Sequence, residues 1–143
     1  MSALCGLIFT AGRVCAVFQE DRLCPQLTAM ENVALVLPGA AKQYQQDILD
    51  CFQQLGMEDE VLELPACRLS GGQKRRCALL RALLAPGDTL LLDEPFTGMD
   101  PDTLLRATAL LKSRCAGRPT LLTTHDPEAI RALGWQVIRL EEL

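Results

Sequence analysis

Apolar residues along the chain are grouped in two ways, as short continuous runs and as longer segments with helical spacing. The short runs have the length and the polar or glycine boundaries of buried strands. They cover residues 13–18, 89–92, 120–124 and 135–140. The helical segments cover residues 40–55 and 72–84, and further helices begin at Thr28, Asp100 and Asp126. Because strands and helices alternate, the pattern predicts an α/β fold, a parallel sheet flanked by helices.

Polar residues mark where the predicted helices begin and end. Thr28 and Glu31 have the spacing of a capping box, in which each side chain accepts a hydrogen bond from the other residue's amide. Asp100 and Asp126 each precede a proline, which suits the first position of a helix. Helices are expected to end near Pro38, Gly56 and Pro86.

Length and composition indicate one globular domain or part of one. The chain has 143 residues, of which 49% are hydrophobic and 22% are charged. Its formal net charge is −4, and the longest basic run is residues 74–76. We therefore expect no nucleic-acid partner. No apolar stretch reaches the roughly twenty residues that cross a bilayer, and the first residues lack the basic start of a signal peptide. The sequence therefore favours a cytoplasmic protein.

The seven cysteines form no C-x-x-C pair, and the sequence has one histidine. Neither a zinc site nor a disulfide framework is therefore expected. Cys15 and Cys77 fall inside apolar patterns, which predicts that they fill the core as small hydrophobic residues.

Four polar residues stand at the carboxyl ends of predicted strands. Gln19 follows the first strand, Asp93 and Glu94 follow the second, and His125 follows the third. An acidic strand end can be an ordinary solvated terminus, and a lone histidine is more often structural than catalytic. In a parallel sheet, however, these ends meet at one edge, where ligands bind. Their common position favours a site.

Two segments suit phosphate chemistry. Asp93 and Glu94 pair a carboxylate that can hold magnesium with one that can orient and deprotonate water. Residues 70–73, Ser-Gly-Gly-Gln, place two glycines at a helix N-terminus with Ser70 as its N-cap, and such a terminus attracts anions. Taken alone, Ser-Gly-Gly is equally compatible with a simple turn before a helix.

The order of these segments along the chain resembles the motif order of ATP-binding cassette (ABC) ATPases. The motifs are Gln19 after a strand and residues 69–73, 90–95, 98–100 and 123–126. The resemblance covers nearly the whole chain, and five ordered motifs are far more specific than one. It implies a partial ABC cassette with a small helical subdomain at residues 28–69. The strand and glutamine loop would occupy residues 13–19, and the rest of the core would occupy residues 70–143.

The resemblance implies ATP and Mg²⁺ as ligands and gives four residues roles in hydrolysis. Gln19 would contact magnesium and the transmembrane partner. Asp93 would bind magnesium, mostly through water, and Glu94 would be the base for the attacking water. His125 would contact the γ-phosphate.

The resemblance also implies that ATP is shared between two subunits in a head-to-tail dimer. Residues 69–73, hereafter the signature segment, would bind the ATP held by the opposite subunit. Its contact residues would be Ser70, Gly71, Gly72 and Gln73. Asp100 resembles the aspartate of the family's D-loop and is expected among the catalytic residues.

One expected motif is missing from the sequence. No G-x-x-x-x-G-K-[ST] phosphate loop occurs, and none of Lys42, Lys74 and Lys112 follows a glycine loop of that kind. Residues 3–7 are similar to the end of the helix that follows this loop in the family. The sequence is therefore interpreted as a cassette truncated at its N-terminus.

The resemblance implies the nucleotide-binding subunit of an ABC transporter. It would couple ATP hydrolysis to transport by transmembrane permease subunits, on the inner face of the cell membrane. Residues 17–23 and 30–33 look most like importer ATPases of the nitrate, sulfonate and taurine type. The alternative is a non-catalytic module that offers its signature face to a partner cassette or docks on a membrane subunit.

Overall fold

A computed structural model describes residues 12–115 and 117–139 of the chain. Within these residues, three parallel strands form one sheet in the order β1-β2-β3. The strands are β1 (Val14–Val17), β2 (Thr89–Asp93) and β3 (Thr120–Thr123). Their register places Val17 opposite Leu92 and Asp93 opposite Thr123. The predicted α/β fold with a parallel sheet is confirmed.

Six α-helices connect and cover the strands in the described part of the chain. They are α1 (Ala29–Ala34), α2 (Gln45–Gln54), α3 (Asp59–Leu62), α4 (Gly71–Leu84), α5 (Pro101–Arg114) and α6 (Pro127–Leu133). Two 3₁₀ turns lie at Ala41–Gln43 and Ala66–Arg68. None of these helices is long and apolar enough to span a membrane.

The helix starts predicted at Thr28, Asp100 and Asp126 are confirmed by their caps, whereas the helix predicted over residues 40–55 begins only at Gln45, after a 3₁₀ turn. Thr28 and Glu31 form both hydrogen bonds of the capping box. The side chain of Asp100 accepts from the amide of Thr103, and that of Asp126 accepts from the amide of Glu128. These caps satisfy amides that have no partner inside the helix.

Helix α4 is the central element of the packing. It contacts β1, α1, α2 and α5, and its buried side chains include Leu79, Leu80 and Leu83. Phe52 and Ile48 of α2 are buried in the same core. Burying one side chain of this size stabilises the folded state by about 1.5–3 kcal/mol. The buried side chains of α4 therefore hold α1 and α2 against the sheet.

Strand β1 is shorter than the predicted run of residues 13–18, since it covers Val14–Val17 alone. The carbonyl groups of Phe18 and Gln19 accept hydrogen bonds from the side chain of Arg75 on α4. An arginine side chain therefore replaces the neighbouring strand as the partner of these two carbonyls.

The predicted last strand at residues 135–140 is wrong where the structure describes it. Residues 135–139 form no regular element, and Val137 and Ile138 are 51% and 77% exposed. A strand needs a hydrogen-bonding neighbour, and within the described residues β3 pairs with β2 alone. Residue 140 and the helix end expected at residues 3–7 lie outside the described residues.

Candidate functional site

The register of β2 and β3 brings Asp93 beside Thr123. The Thr123 hydroxyl donates to Asp93 Oδ1 at 2.6 Å. The amide of the next residue, Glu94, donates to the Thr123 carbonyl at 3.1 Å. One residue of β3 therefore holds both the Asp93 side chain at the end of β2 and the backbone of Glu94, the residue that follows.

Glu94 and His125 are in direct contact. His125 Nδ1 lies 2.8 Å from Glu94 Oε1. The His125 side chain is 86% exposed and the Glu94 side chain is 22% exposed. The hydrogen bond that His125 makes to the Glu94 carboxylate, together with the negative charge of Glu94, raises the pKa of His125 above its usual value. The backbone of Glu94 has a φ of +47°, in the left-handed region that residues other than glycine seldom adopt.

The signature segment begins helix α4 with a second capping box. The Ser70 hydroxyl accepts from the amide of Gln73 at 3.2 Å, and the Ser70 amide donates to Gln73 Oε1 at 2.8 Å. Ser70 and Gly71 are exposed. The first amides of a helix point away from it and carry the positive end of its dipole, so this terminus suits an anion.

The two glycines of this segment have different surroundings. A Cβ atom at Gly71 would have no other atom within 4 Å, whereas one at Gly72 would lie 3.1 Å from the carbonyl oxygen of Gly98. Gly98 belongs to the loop that leads to Asp100. Gly72 therefore permits close packing between the signature segment and this loop, while Gly71 leaves the surface of the helix start open.

Asp100 acts as a helix cap in this structure. Its Oδ1 accepts from the Thr103 amide at 3.0 Å, and its Oδ2 accepts from the Thr103 hydroxyl at 2.6 Å. These two hydrogen bonds, that from the hydroxyl first, lower the pKa of Asp100. The side chain is therefore held at the start of α5 as a carboxylate.

The expected site residues fall into two groups. Asp93, Glu94 and His125 are linked around the ends of β2 and β3, and Gln19 lies just beyond the end of the neighbouring strand β1. The signature segment and Asp100 form the second group, connected through Gly98. Among the hydrogen bonds and ion pairs of the described residues, none joins Ser70 to the first group.

Two residues of the site, Thr123 and Arg75, are not indicated by the sequence motifs alone. Thr123 stands in the segment of residues 123–126, and the feature that could have identified it is its place at the end of the strand next to β2. Arg75 lies in the basic run at residues 74–76, which gives no sign that it is buried. Arg75 is buried because it contacts Phe18 and Gln19, which are distant from it in the sequence.

Cys15 and Cys77 lie in the apolar surroundings that the sequence predicts. Cys77 is buried, as expected, and burial raises the pKa of its thiol to about 12. Cys15 is half-buried and packs against the core, and burial raises its pKa as well. Thiols of this kind are poor nucleophiles because little thiolate forms at neutral pH.

The described residues contain no group of three or more His, Cys, Asp or Glu that could hold a metal by itself. Mg²⁺ is usually bound through one or two carboxylates together with phosphate oxygens and water. The Asp93 carboxylate and the Gln19 amide are oxygen donors of the type that it prefers. The residues present therefore fit a magnesium ion that arrives with a phosphate ligand.

Comparison with known proteins gives consistent matches. A family model described as ABC transporter matches residues 7–97. The aliphatic sulfonates import ATP-binding protein SsuB of Cupriavidus necator is 40% identical over 128 residues, which are 88% of this chain and 41% of that protein. The lipoprotein-releasing system ATP-binding protein LolD 1 of Caulobacter vibrioides is 38% identical over 124 residues, covering 82% of this chain and 53% of that protein.

Solved structures agree with these matches. One is the dimeric structure of a post-hydrolysis state of the ATP-binding cassette MJ0796 bound to ADP and Pi, with a TM-score of 0.72 and 30% identity. The match covers 87% of this chain and 57% of that one. This chain thus spans about half the length of the proteins that it matches.

Proposed function

Because this chain belongs to the ABC transporter family, we propose that it is part of a nucleotide-binding subunit that couples ATP hydrolysis to transport. The observation that carries the proposal is the contact between Glu94 and His125 beside Asp93. Three polar groups that can act on phosphate and water meet there at the carboxyl ends of parallel strands, the usual place for a ligand in this class of fold.

Each of these residues has a proposed part in hydrolysis. Asp93, fixed by the Thr123 hydroxyl, would bind Mg²⁺ together with Gln19. When bound, ATP would supply the reacting phosphoryl group, and Mg²⁺ would neutralise the negative charge of its phosphates. Glu94 would accept the proton of the attacking water. His125, when protonated beside Glu94, would place a positive charge near the γ-phosphate.

We propose that the signature segment serves a second subunit. The open helix start at Gly71, where an added Cβ would meet no atom within 4 Å, supports binding of ATP held by a partner. Asp100, linked to this segment through Gly98, would contact the same partner in a head-to-tail dimer. The similar ATP-binding cassette MJ0796 was solved as a dimer, which is consistent with this arrangement.

The proposed setting is the inner face of the cell membrane, against transmembrane permease subunits. Relatives named for the import of aliphatic sulfonates, the import of thiamine and the release of lipoproteins are 40%, 36% and 38% identical to this chain. These relatives have different cargoes at nearly equal identity, which supports a role in energy coupling common to them all. The cargo would then be selected by other subunits.

The test is to fuse an N-terminal segment carrying a G-x-x-x-x-G-K-[ST] phosphate loop to this chain and to measure magnesium-dependent ATP hydrolysis. We expect the fusion to hydrolyse ATP, and Glu94→Gln to lower turnover by roughly 10²–10⁴-fold, the usual effect of losing a general base. Glu128→Gln, a change of an exposed carboxylate on α6, is the matched control. Equal turnover with Glu94 and with Gln at that position would contradict the proposal. A fusion that folds and binds ATP without hydrolysing it would favour the non-catalytic alternative.

A further inference from the structure

Arg75 is a buried charged residue that the proposed reaction does not use. It stands on α4, five residues after Ser70, and is 7% exposed. A buried guanidinium is unfavourable unless its charge is paired and its donors are occupied. The contacts of Arg75 therefore indicate what the residue does.

Within the described part of the chain, the hydrogen bonds and the ion pair of Arg75 all lie in the segment around Gln19. The guanidinium donates to the carbonyl of Phe18 at 2.5 Å and to the carbonyl of Gln19. The same group lies 3.2 Å from Asp21 Oδ1, which balances its charge. Because one planar group binds two successive carbonyls, it fixes both the position and the direction of the backbone at Gln19.

A second arginine of α4 holds the far end of this segment. Arg81 donates to the carbonyls of Asp21 and Arg22, each at 3.0 Å. Residues 18–22 are therefore bound to α4 through four backbone carbonyls. The bonds from Arg75 are the ones that reach Gln19 itself.

We propose that Arg75 is a positioning residue, which fixes the backbone of Gln19 to the helix that begins with the signature segment. This inference rests on the proposed function, because it gives Gln19 its significance as a contact to magnesium and to the membrane partner. It adds a mechanical link: a displacement of α4 is transmitted to Gln19 through one side chain. Lysine cannot replace this link, because a single ammonium does not have the planar fork that binds two carbonyls.

The test uses the 143-residue chain with Arg75→Lys and Arg75→Met. The matched control is Arg118→Lys, since Arg118 also donates to backbone carbonyls, those of Leu83, Ala85 and Arg114, but away from Gln19. Two properties are measured. One is the ¹³C chemical shift of the carbonyls of residues 18 and 19. The other is the rate at which trypsin cleaves after Arg22, which is exposed.

We expect both Arg75 variants to shift the two carbonyl resonances. They should also increase cleavage after Arg22 by about 10-fold to 100-fold, the effect of losing hydrogen bonds to a charged donor. Arg118→Lys should leave both properties unchanged. If Arg75→Met fails to fold, Arg75→Lys decides the matter.

Two results would overturn the inference. One is an Arg75→Lys variant whose carbonyl shifts and cleavage rate match those of the unsubstituted chain. The other is an equal rise in cleavage after the exposed residues Arg68 and Arg131, which would mean that Arg75 supports the whole fold rather than Gln19. Neither measurement involves nucleotide, so these results are distinguishable from a failure of the phosphate-loop fusion to hydrolyse ATP.

Discussion

His125 Nδ1 contacts Glu94 Oε1 at 2.8 Å, although the two residues are 31 positions apart in the sequence. The contact follows from the fold, because Glu94 comes directly after the end of one strand and His125 comes two residues after the end of its neighbour. It joins a group that can accept a proton from water to one whose charge changes near neutral pH. The state of this pair can therefore be followed by titration.

We predict that His125 titrates above the usual histidine pKa of about 6.5 and that Glu94→Gln lowers its pKa toward that value. The carboxylate favours the imidazolium, and an amide does not. An NMR titration of the ring resonances of this single histidine measures the effect. Because the pKa of His125 is raised in the folded state, the contribution of the pair to the free energy of unfolding is fully present at a pH below the unfolded-state pKa. This contribution is lost as the pH rises through the folded-state pKa. An unchanged pKa in the Glu94→Gln variant would show that the contact is absent in solution.

Replacing each of the two signature glycines with alanine should affect the free energy of unfolding differently. Gly71→Ala should leave it unchanged or raise it by up to about 1 kcal/mol, because alanine restricts the unfolded chain and meets no atom in the folded one. Gly72→Ala should lower it, because the new methyl group lies 3.1 Å from the carbonyl oxygen of Gly98. Urea denaturation of both variants measures the difference. A Gly72→Ala variant as stable as Gly71→Ala would mean that the Gly98 loop moves aside freely.

Ser70→Arg should abolish ATP hydrolysis by the phosphate-loop fusion while leaving nucleotide binding to the monomer nearly unchanged. A large side chain at the start of α4 would fill space that the partner's phosphates must enter. In the sharper measurement, Ser70→Arg subunits are mixed with subunits that lack the phosphate-loop lysine. Each mixed dimer then has one site damaged twice and one site intact, so activity should partly return. No recovery at any ratio, with dimerisation verified, would show that the signature acts within its own subunit or that both sites must work together.

The exposed edge of β3 should promote self-association of the 143-residue chain. Leu121 is 41% exposed, and within the described residues β3 has a hydrogen-bonding neighbour on one side only. Unpaired strand edges with apolar side chains bind other chains. Leu121→Lys should therefore reduce the associated fraction in sedimentation velocity, whereas Leu105→Lys, on the exposed face of α5, serves as the control. A monodisperse unsubstituted monomer would contradict this prediction.

The sequence was sufficient for features that depend on neighbouring residues. The capping box of Thr28 and Glu31, the caps at Asp100 and Asp126 and the approximate bounds of the three strands all follow from local patterns. The meeting of Glu94 with His125 was also predictable, because parallel strands end at a common edge.

The features that the sequence missed depend on distant partners. The apolar run at residues 135–139 resembles a strand, but strand formation requires a neighbour, which the run itself does not specify. Arg75 looks like a solvated residue in a basic run, and only the packing of α4 against β1 shows that it is buried. Burial of a long polar side chain depends on the whole fold rather than on its neighbours in sequence.

The left-handed backbone of Glu94 places stability and activity in opposition. A non-glycine residue held in such a conformation costs of order 1–3 kcal/mol of conformational strain. Glu94→Gly would release that strain and would also remove the proposed base. A laboratory selection for thermal stability alone would therefore favour inactivating substitutions of Glu94. A screen for more stable variants must also select for ATP turnover.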